Sequence, residues 1–273
     1  MNLTILVDNN TLIDSYYLGE PAVSYWLELE GDTYLFDTGY SDILIKNAEK
    51  MGLDLTSLQA VILSHGHDDH TRGLEHIISY YANKKKQLPT LIAHPDAFLP
   101  KRDGDLAIGC PISTSLIQKE FSLQLSKEPL WLTKKLVFLG EIERINDYES
   151  QTAIGEIETG GKWKPDYVKD DSALVYCGEK GLVIITGCSH SGICNIISYA
   201  KKVCQDYRIE SVIGGFHLLH TEESQMEKTK VYFQQIKAES VYAAHCTDLA
   251  AKIELSKVAN LKETGVGVGL SYR

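Results

Sequence analysis

The chain has 273 residues, 44% of them hydrophobic, enough to bury a sizeable core as one large domain or two small ones. A formal net charge of −10 opposes a broad nucleic-acid surface, because duplex binding is driven by neutralising phosphates with Lys and Arg. No apolar run reaches the ~18 residues of a membrane span, and the opening MNLTILVDNN lacks a basic region followed by an apolar core. A cytoplasmic protein with a small-molecule substrate is expected, without nucleic acid or membrane as partner and with its oligomeric state open. The six cysteines, Cys110, Cys177, Cys188, Cys194, Cys204 and Cys246, contain no Cys-x-x-Cys pair and are too sparse for a disulfide framework, so reduced thiols are expected.

In chain order, Val23 to Glu30 and Thr33 to Gly39 have the pattern of two strands joined by a hairpin turn at Gly31-Asp32. A helix follows, capped by Ser41, with Leu44, Ala48 and Met51 on one face and Gly52 as its left-handed terminus. A recurring unit then begins, in which an apolar run ends in a histidine-bearing loop and leads into an amphipathic helix. AVILSHGHDDH precedes Leu74, Ile77, Ile78 and Tyr81; LVIITGCSHSG precedes Ile193, Ile196, Ile197 and Ala200. SVIGGFH leads into Met226, Phe233 and Ile236, and SVYAAHCTD into Leu249 and Ile253. The second half repeats the plan of the first, which predicts two related halves within one α/β domain over residues 1–273. Residues 101–170 have weak periodicity, with Leu136 to Gly140 as a strand candidate, and are expected to be a loop-rich insertion able to cover a pocket.

Five strand-like runs finish at His65, His94, His190, His217 and His245, and α/β folds gather their ligands at the carboxyl ends of strands. The stretch HGHDDH, His65 to His70, packs three imidazoles and two carboxylates into one loop. Histidines two apart cannot share a helix face, so His65 and His67 must chelate from irregular backbone, while Asp69 and His70 stand at a helix start. Imidazole with carboxylate suits zinc, iron or manganese, and an open coordination position lets the metal activate water. The bland alternative, a polar capping loop without metal, explains this ligand density poorly, because unpaired buried imidazoles are costly.

HGHDDH resembles the His-x-His-x-Asp-His signature of the metallo-β-lactamase superfamily, and TYLFDTG resembles its first motif, with Asp37 as the carboxylate behind the ligands. The resemblance covers almost the whole chain and implies an αββα sandwich with a dinuclear centre. It assigns His65 and His67 to the first metal, Asp69 and His70 to the second, and His245 to the second as its final histidine. Two divalent transition-metal ions are implied, with zinc first and iron or manganese as alternatives. Where many members carry a bridging Gly-Asp, this chain has Gly187-Cys188, with His190 just beyond. His190 is expected at the first site with His65 and His67, and Cys188 is expected not to bind; Asp171 stands between a ligand role and solvation at the start of a strand.

GCSHSGI, GGFHL and HCT, with HPDAF (His94 to Phe98) and the nearby Arg102, resemble a narrower subgroup. It is commonly described as 7,8-dihydropterin-6-methyl-4-(β-D-ribofuranosyl)aminobenzene 5′-phosphate synthase or as metal-dependent hydrolase. Asp248 departs from it, since Gly is expected after the Cys-Thr pair. The resemblance implies hydrolysis of a small phosphate-containing or ester substrate by metal-activated water. Asp69 would orient the water and His217 would contact substrate oxygen from a strand end relieved by Gly214 and Gly215. His94 stands between a supporting role behind the ligands and the core, and Arg102 between a phosphate contact and the solvated surface. The alternatives are synthase-type condensation releasing pyrophosphate and iron-dependent redox chemistry. The latter lacks a flavin-binding segment or a cysteine set for an iron–sulfur cluster. Lys84-Lys85-Lys86 is expected to be a solvated helix end, and His76 and His220 carry no assignment.

Overall fold

The computed structural model describes residues 1–273 and separates into two compact units. The first comprises Met1–Ser126, Ile154–Asp166 and Gly265–Ser271; the second comprises Lys127–Ala153, Tyr167–Thr264 and Tyr272–Arg273.

In the first unit, β1 (Asn2–Val7), β2 (Ser24–Leu29), β3 (Asp32–Phe36), β4 (Leu58–Ile62), β5 (Thr90–Ala93), β8 (Ser122–Leu125) and β17 (Gly269–Ser271) form a seven-stranded sheet ordered β17-β1-β2-β3-β4-β5-β8. The hairpin joining β2 and β3 pairs Leu29 with Asp32, so its two-residue loop is Glu30-Gly31, one position earlier than the sequence pattern suggests. Both loop residues have positive φ, 55° and 96°, the type I′ geometry whose twist matches the flanking strands. After β3 the pairing turns parallel, through β4 and β5, with crossovers by α1 (Ile43–Met51) and α3 (Gly73–Lys84).

Helix α1 forms where expected: Ser41 Oγ accepts from the Ile43 N–H at 3.2 Å, and Gly52 ends the helix at φ 73°. It buries Leu44 and Ala48 together with Asn47, whose amide donates to the Leu6 and Leu18 carbonyls. Helix α3 buries Leu74, Ile77 and Tyr81, the spacing read from the sequence. These side chains meet Leu35, Val61, Leu63 and Leu91 in one apolar cluster under the sheet.

The second unit holds a six-stranded sheet ordered β16-β15-β14-β13-β10-β9. Its strands are β9 (Leu130–Trp131), β10 (Leu136–Phe138), β13 (Ala173–Cys177), β14 (Leu182–Thr186), β15 (Ile209–Gly215) and β16 (Ser240–Ala244). β10, β13 and β14 pair antiparallel, whereas β14, β15 and β16 run parallel. The parallel strands read as near-continuous apolar runs because they are buried along their length. Helices α5 (Ile193–Cys204) and α6 (Glu223–Ile236) are the crossovers, and Ile193, Ile196, Ile197, Ala200, Met226 and Phe233 enter a second core cluster.

Helix α7 (Leu249–Ser256) corrects one expectation. Ala251 and Leu255 face inward, whereas Leu249 and Ile253 are 72% and 51% exposed. Both pairs have i, i+4 spacing, so periodicity alone could not choose between the faces. Residues 101–170 contain α4 (Thr114–Glu120) and short strands, among them β6 (Lys101–Asp103), β7 (Leu106–Ala107), β11 (Glu156–Thr159) and β12 (Lys162–Pro165), which form a four-stranded sheet in the first unit. Strands of two to four residues leave almost no periodic signal. No helix is long and apolar enough to cross a membrane.

Candidate metal centre

Within the first unit, β4 ends at Ile62, and Leu63-Ser64 lead directly into His65. Asp37, at the turn after β3, is fully buried at φ 60°. Its Oδ1 accepts the Ser64 N–H at 2.7 Å, and its Oδ2 accepts both the Ser64 hydroxyl and His70 Nδ1 at 2.7 Å. A carboxylate can only accept, so His70 Nδ1 carries the proton and His70 Nε2 is left with its lone pair. Because the Ser64 hydroxyl donates to Asp37, it accepts from His65 Nδ1 at 2.9 Å, which puts the proton of a neutral His65 on Nδ1. One carboxylate thereby sets two imidazole tautomers.

His65 Nε2 lies 3.0 Å from His67 Nδ1. Two ring nitrogens this close are stabilised by a proton shared between them or by a cation held by both, and this donor set of buried imidazoles and carboxylate suits a divalent transition metal. The rings crowd together, with centroids 4.6 Å apart for His65 and His67 and 4.2 Å for His65 and His70. Asp69 is the second residue of the short helix α2 (Asp68–Thr71), with Oδ2 3.6 Å from His70 Nε2 and a side chain 28% exposed. Burial, reinforced by the Asp69 charge, pushes the Asp68 carboxyl up.

Two glycines permit this packing. A Cβ at Gly66 would overlap the Ala97 carbonyl, and one at Gly73 would overlap that of Thr38. His94 is buried and its Nδ1 accepts the Asp96 N–H at 3.1 Å, capping the 3-10 turn Pro95–Phe98 that lies on Gly66. Residue 67 bridges to Gly109, and the Asp68 N–H donates to the Ile108 carbonyl at 2.9 Å, so the segment after β7 grips the loop backbone. Arg102 is held by Glu156 at 2.7 and 2.9 Å and stacks 4.1 Å over the Trp163 ring, with no phosphate-receiving role indicated by these contacts.

The second unit presents its candidate residues one strand end at a time. Cys188 and His190 follow β14, His217 follows β15 and His245 follows β16; all but the half-buried His217 are buried. Ser189, His217 and His245 adopt positive φ of 62°, 51° and 45°, which side chains other than Gly and Asn rarely tolerate and which here turns each chain sharply out of its strand. Ser189 Oγ donates to the Gly215 carbonyl at 2.6 Å, Cys246 Sγ donates to the Cys188 carbonyl and the His217 N–H donates to Cys246 Sγ, both at 3.3 Å. His190 and His217 pack at 4.3 Å between centroids. Gly214 and Gly215 do serve close approach, but to neighbouring protein groups: added Cβ atoms would strike Thr186 and, for Gly215, Cys246 Sγ and the Gly187 carbonyl.

Asp171 is fully buried and accepts the Ser191 N–H at 2.8 Å. Asp248 caps the start of α7 and ties it to the loop before α6: its Oδ1 accepts the Ala251 N–H at 2.8 Å and its Oδ2 the His220 N–H at 2.9 Å. The departure from Gly at this position therefore supplies a helix cap. Sequence reasoning missed Ser64, whose only signal was its position between a strand end and the first histidine, and the Ser191 contacts, which have no local signature. The chain thus holds clusters of His, Asp and Cys that could hold metal ions.

A fold of these parallel strand ends with this donor loop defines a class. Residues 18–204 match the metallo-beta-lactamase superfamily, and the chain belongs to it. An uncharacterised protein of Methanocaldococcus jannaschii is 32% identical over 267 residues, covering 97% of this chain and 98% of that protein. The 7,8-dihydropterin-6-methyl-4-(beta-D-ribofuranosyl)-aminobenzene-5′-phosphate synthase of the same organism is 29% identical over 254 residues, covering 88% and 85%. A crystal structure described as a metal-dependent hydrolase of the beta-lactamase superfamily aligns with TM-score 0.84 and 28% identity, covering 99% of this chain and 98% of that one.

Proposed function

We propose that the protein is a metal-dependent hydrolase of small phosphate-containing or ester substrates, with two divalent metal sites built from His65, His67 and His190 and from Asp69, His70 and His245. The observation that carries this reading is the buried donor loop of the first unit, where the His65 ring lies with its centroid 4.6 Å from that of His67 and 4.2 Å from that of His70, and Asp69 Oδ2 lies 3.6 Å from His70 Nε2. Cys188, which the sequence reading set aside, is buried just after β14, two residues before His190, and is a further candidate ligand. Divalent ions in such sites supply Lewis acidity and a nucleophile at neutral pH. The chain's own contribution is orientation. Asp37 and Ser64 hold the His70 and His65 imidazoles by their Nδ1 atoms, and the partly exposed Asp69 carboxylate can orient water. His217, beside His190, is the candidate contact to substrate oxygen.

Elemental analysis of protein purified without added metal, joined to a screen of phosphodiesters, phosphomonoesters, lactones and thioesters, tests the proposal. Two transition-metal ions per chain, lower occupancy in His67→Ala, Asp69→Ala and His245→Ala, and a metal-replete but slower His217→Ala are expected. Full occupancy in the first three would remove the ligand assignment. Inert phosphate compounds beside hydrolysed lactones or thioesters would remove the phosphate class. The synthase relative keeps a second reading in view, and release of pyrophosphate from a pterin substrate in the presence of an aromatic amine would favour it.

A further inference from the structure

Ser191, immediately after His190, is fully buried, and each of its polar groups is held by a different side chain. Its N–H donates to Asp171 Oδ2 at 2.8 Å, its Oγ lies 3.4 Å from Arg144 Nη2, and its carbonyl accepts from Asn195 Nδ2 at 2.8 Å. The same Arg144 nitrogen donates to the Tyr167 and Val168 carbonyls at 2.6 and 3.0 Å, and the Val168 carbonyl also accepts the Asp171 N–H at 3.1 Å. Arg144 and Asp171 are therefore braced against one another through a single turn. Of the three contacts, the one from Asp171 has particular leverage. The Ser191 N–H and the His190 carbonyl belong to one planar peptide unit, so fixing that N–H fixes the rotation of the plane and with it ψ of His190. The turn from Ser189 to Gly192 is closed by the Gly192 N–H donating to the Ser189 carbonyl at 2.9 Å, with both end residues at positive φ.

We propose that Asp171 is a positioning residue for His190, acting through the Ser191 N–H as a hydrogen-bond acceptor and not as a metal ligand. This rests on the assignment of His190 to a metal site made above. The acceptor is what matters, so an amide oxygen at the same place should serve equally and would avoid burying a carboxylate, which makes Asn the diagnostic replacement.

The test is titration of the metal-free full chain with Co2+, read by its visible absorption and by competition with a chelator. Asp171→Ala is expected to weaken one of two Co2+ sites about 10- to 100-fold and to alter its spectrum, as loss of a group supporting a metal ligand does. Asp171→Asn is expected to bind like the unsubstituted chain and, being folded, keeps the outcome independent of a misfolded Ala variant. Unchanged affinity in Asp171→Ala overturns the proposal, as does an Asn variant as weak as the Ala one, since the carboxylate would then act through its charge or as a ligand. His190→Ala separates the two levels: if it binds Co2+ normally, the ligand assignment itself fails, whereas loss in His190→Ala with none in Asp171→Ala sinks only the positioning role.

Discussion

The two units share a plan and differ in how they deliver chemistry. In each, antiparallel pairings precede parallel ones: β1-β2-β3 then β4-β5-β8 in the first, β9-β10-β13-β14 then β15-β16 in the second. The first unit concentrates its donors in a single loop running into α2, oriented by one buried carboxylate. The second distributes Cys188, His190, His217 and His245 over three strand ends, each turned by a residue at positive φ. A concentrated set depends on one keystone, and a dispersed set depends on many small constraints.

Removing the keystone should therefore have the largest effect. Asp37→Ala deletes the acceptor of three buried hydrogen bonds, from the Ser64 N–H, the Ser64 hydroxyl and His70 Nδ1. A loss of about 3–5 kcal/mol is expected in denaturant unfolding of the metal-free chain, the usual consequence of leaving one side of a buried polar pair unmatched. In the turn after β14, Ser189, also at positive φ, makes one side-chain hydrogen bond, to Gly215, and Ser189→Ala should cost about 1 kcal/mol. Equal losses would break the comparison.

The next effect concerns Asp171, where the second unit buries a carboxylate of its own. Burial pushes this carboxyl from 3.8 up to about 6. A raised folded value means that the stabilising contribution is complete below the unfolded value and is lost as pH rises through about 6. Asn does not titrate. Asp171→Asn should thus gain on the unsubstituted metal-free chain between pH 4 and 7, by up to about 3 kcal/mol. A stability difference flat over that range would show that the carboxyl is not held in a desolvated state.

Steric tests come third. Gly66→Ala in the first unit and Gly214→Ala in the second each drive a methyl group into a backbone carbonyl, of Ala97 and Thr186 respectively, and Gly214 also sits at φ 133°. Each should lower stability by about 1–3 kcal/mol, with Gly214→Ala the worse because backbone strain adds to the overlap. The reverse ranking would indicate that the concentrated loop tolerates less displacement than the dispersed strand ends.

The same contrast governs what the sequence disclosed. HGHDDH, the Asp37 turn and the amphipathic periods of α3 and α5 are local patterns, so their residues, elements and orientation could be read directly. The strands of residues 101–170 are too short for a period to register, and Arg102 looked available only because its partners Glu156 and Trp163 are more than fifty residues away in the chain. The supports of the second unit are in part long-range: Arg144 and Asp171 reach Ser191 from 47 and 20 residues away, and no spacing rule announces them. Helix α7 failed for another reason, since both of its i, i+4 pairs are apolar, the exposed Leu249 and Ile253 the more so, and its orientation follows from its fixed start at Asp248 and not from the period.

That fixed start gives the smallest predicted effect. Asp248 accepts the Ala251 N–H and the His220 N–H, and these backbone hydrogen bonds, from Ala251 first, hold its carboxyl below the usual range. A lowered folded value contributes stability above the unfolded value and loses it as pH falls through the folded one, the opposite sign to Asp171. Asp248→Ala should cost about 1 kcal/mol near neutral pH, while Asp248→Gly, the residue expected here from the resemblance, should cost only a few tenths, because glycine leaves the helix terminus accessible to water. Both deficits should shrink as pH falls from the ordinary aspartate value of 3.8 through the lower folded one, where Asp248 in the unsubstituted chain becomes protonated and its advantage fades. Denaturant unfolding of the metal-free variants at pH 7 and pH 3.5 would measure this. An Asp248→Gly deficit as large as that of Asp37→Ala would mean that α7 holds the His245 turn as firmly as Asp37 holds the first unit's loop, and the second unit would then have a keystone too.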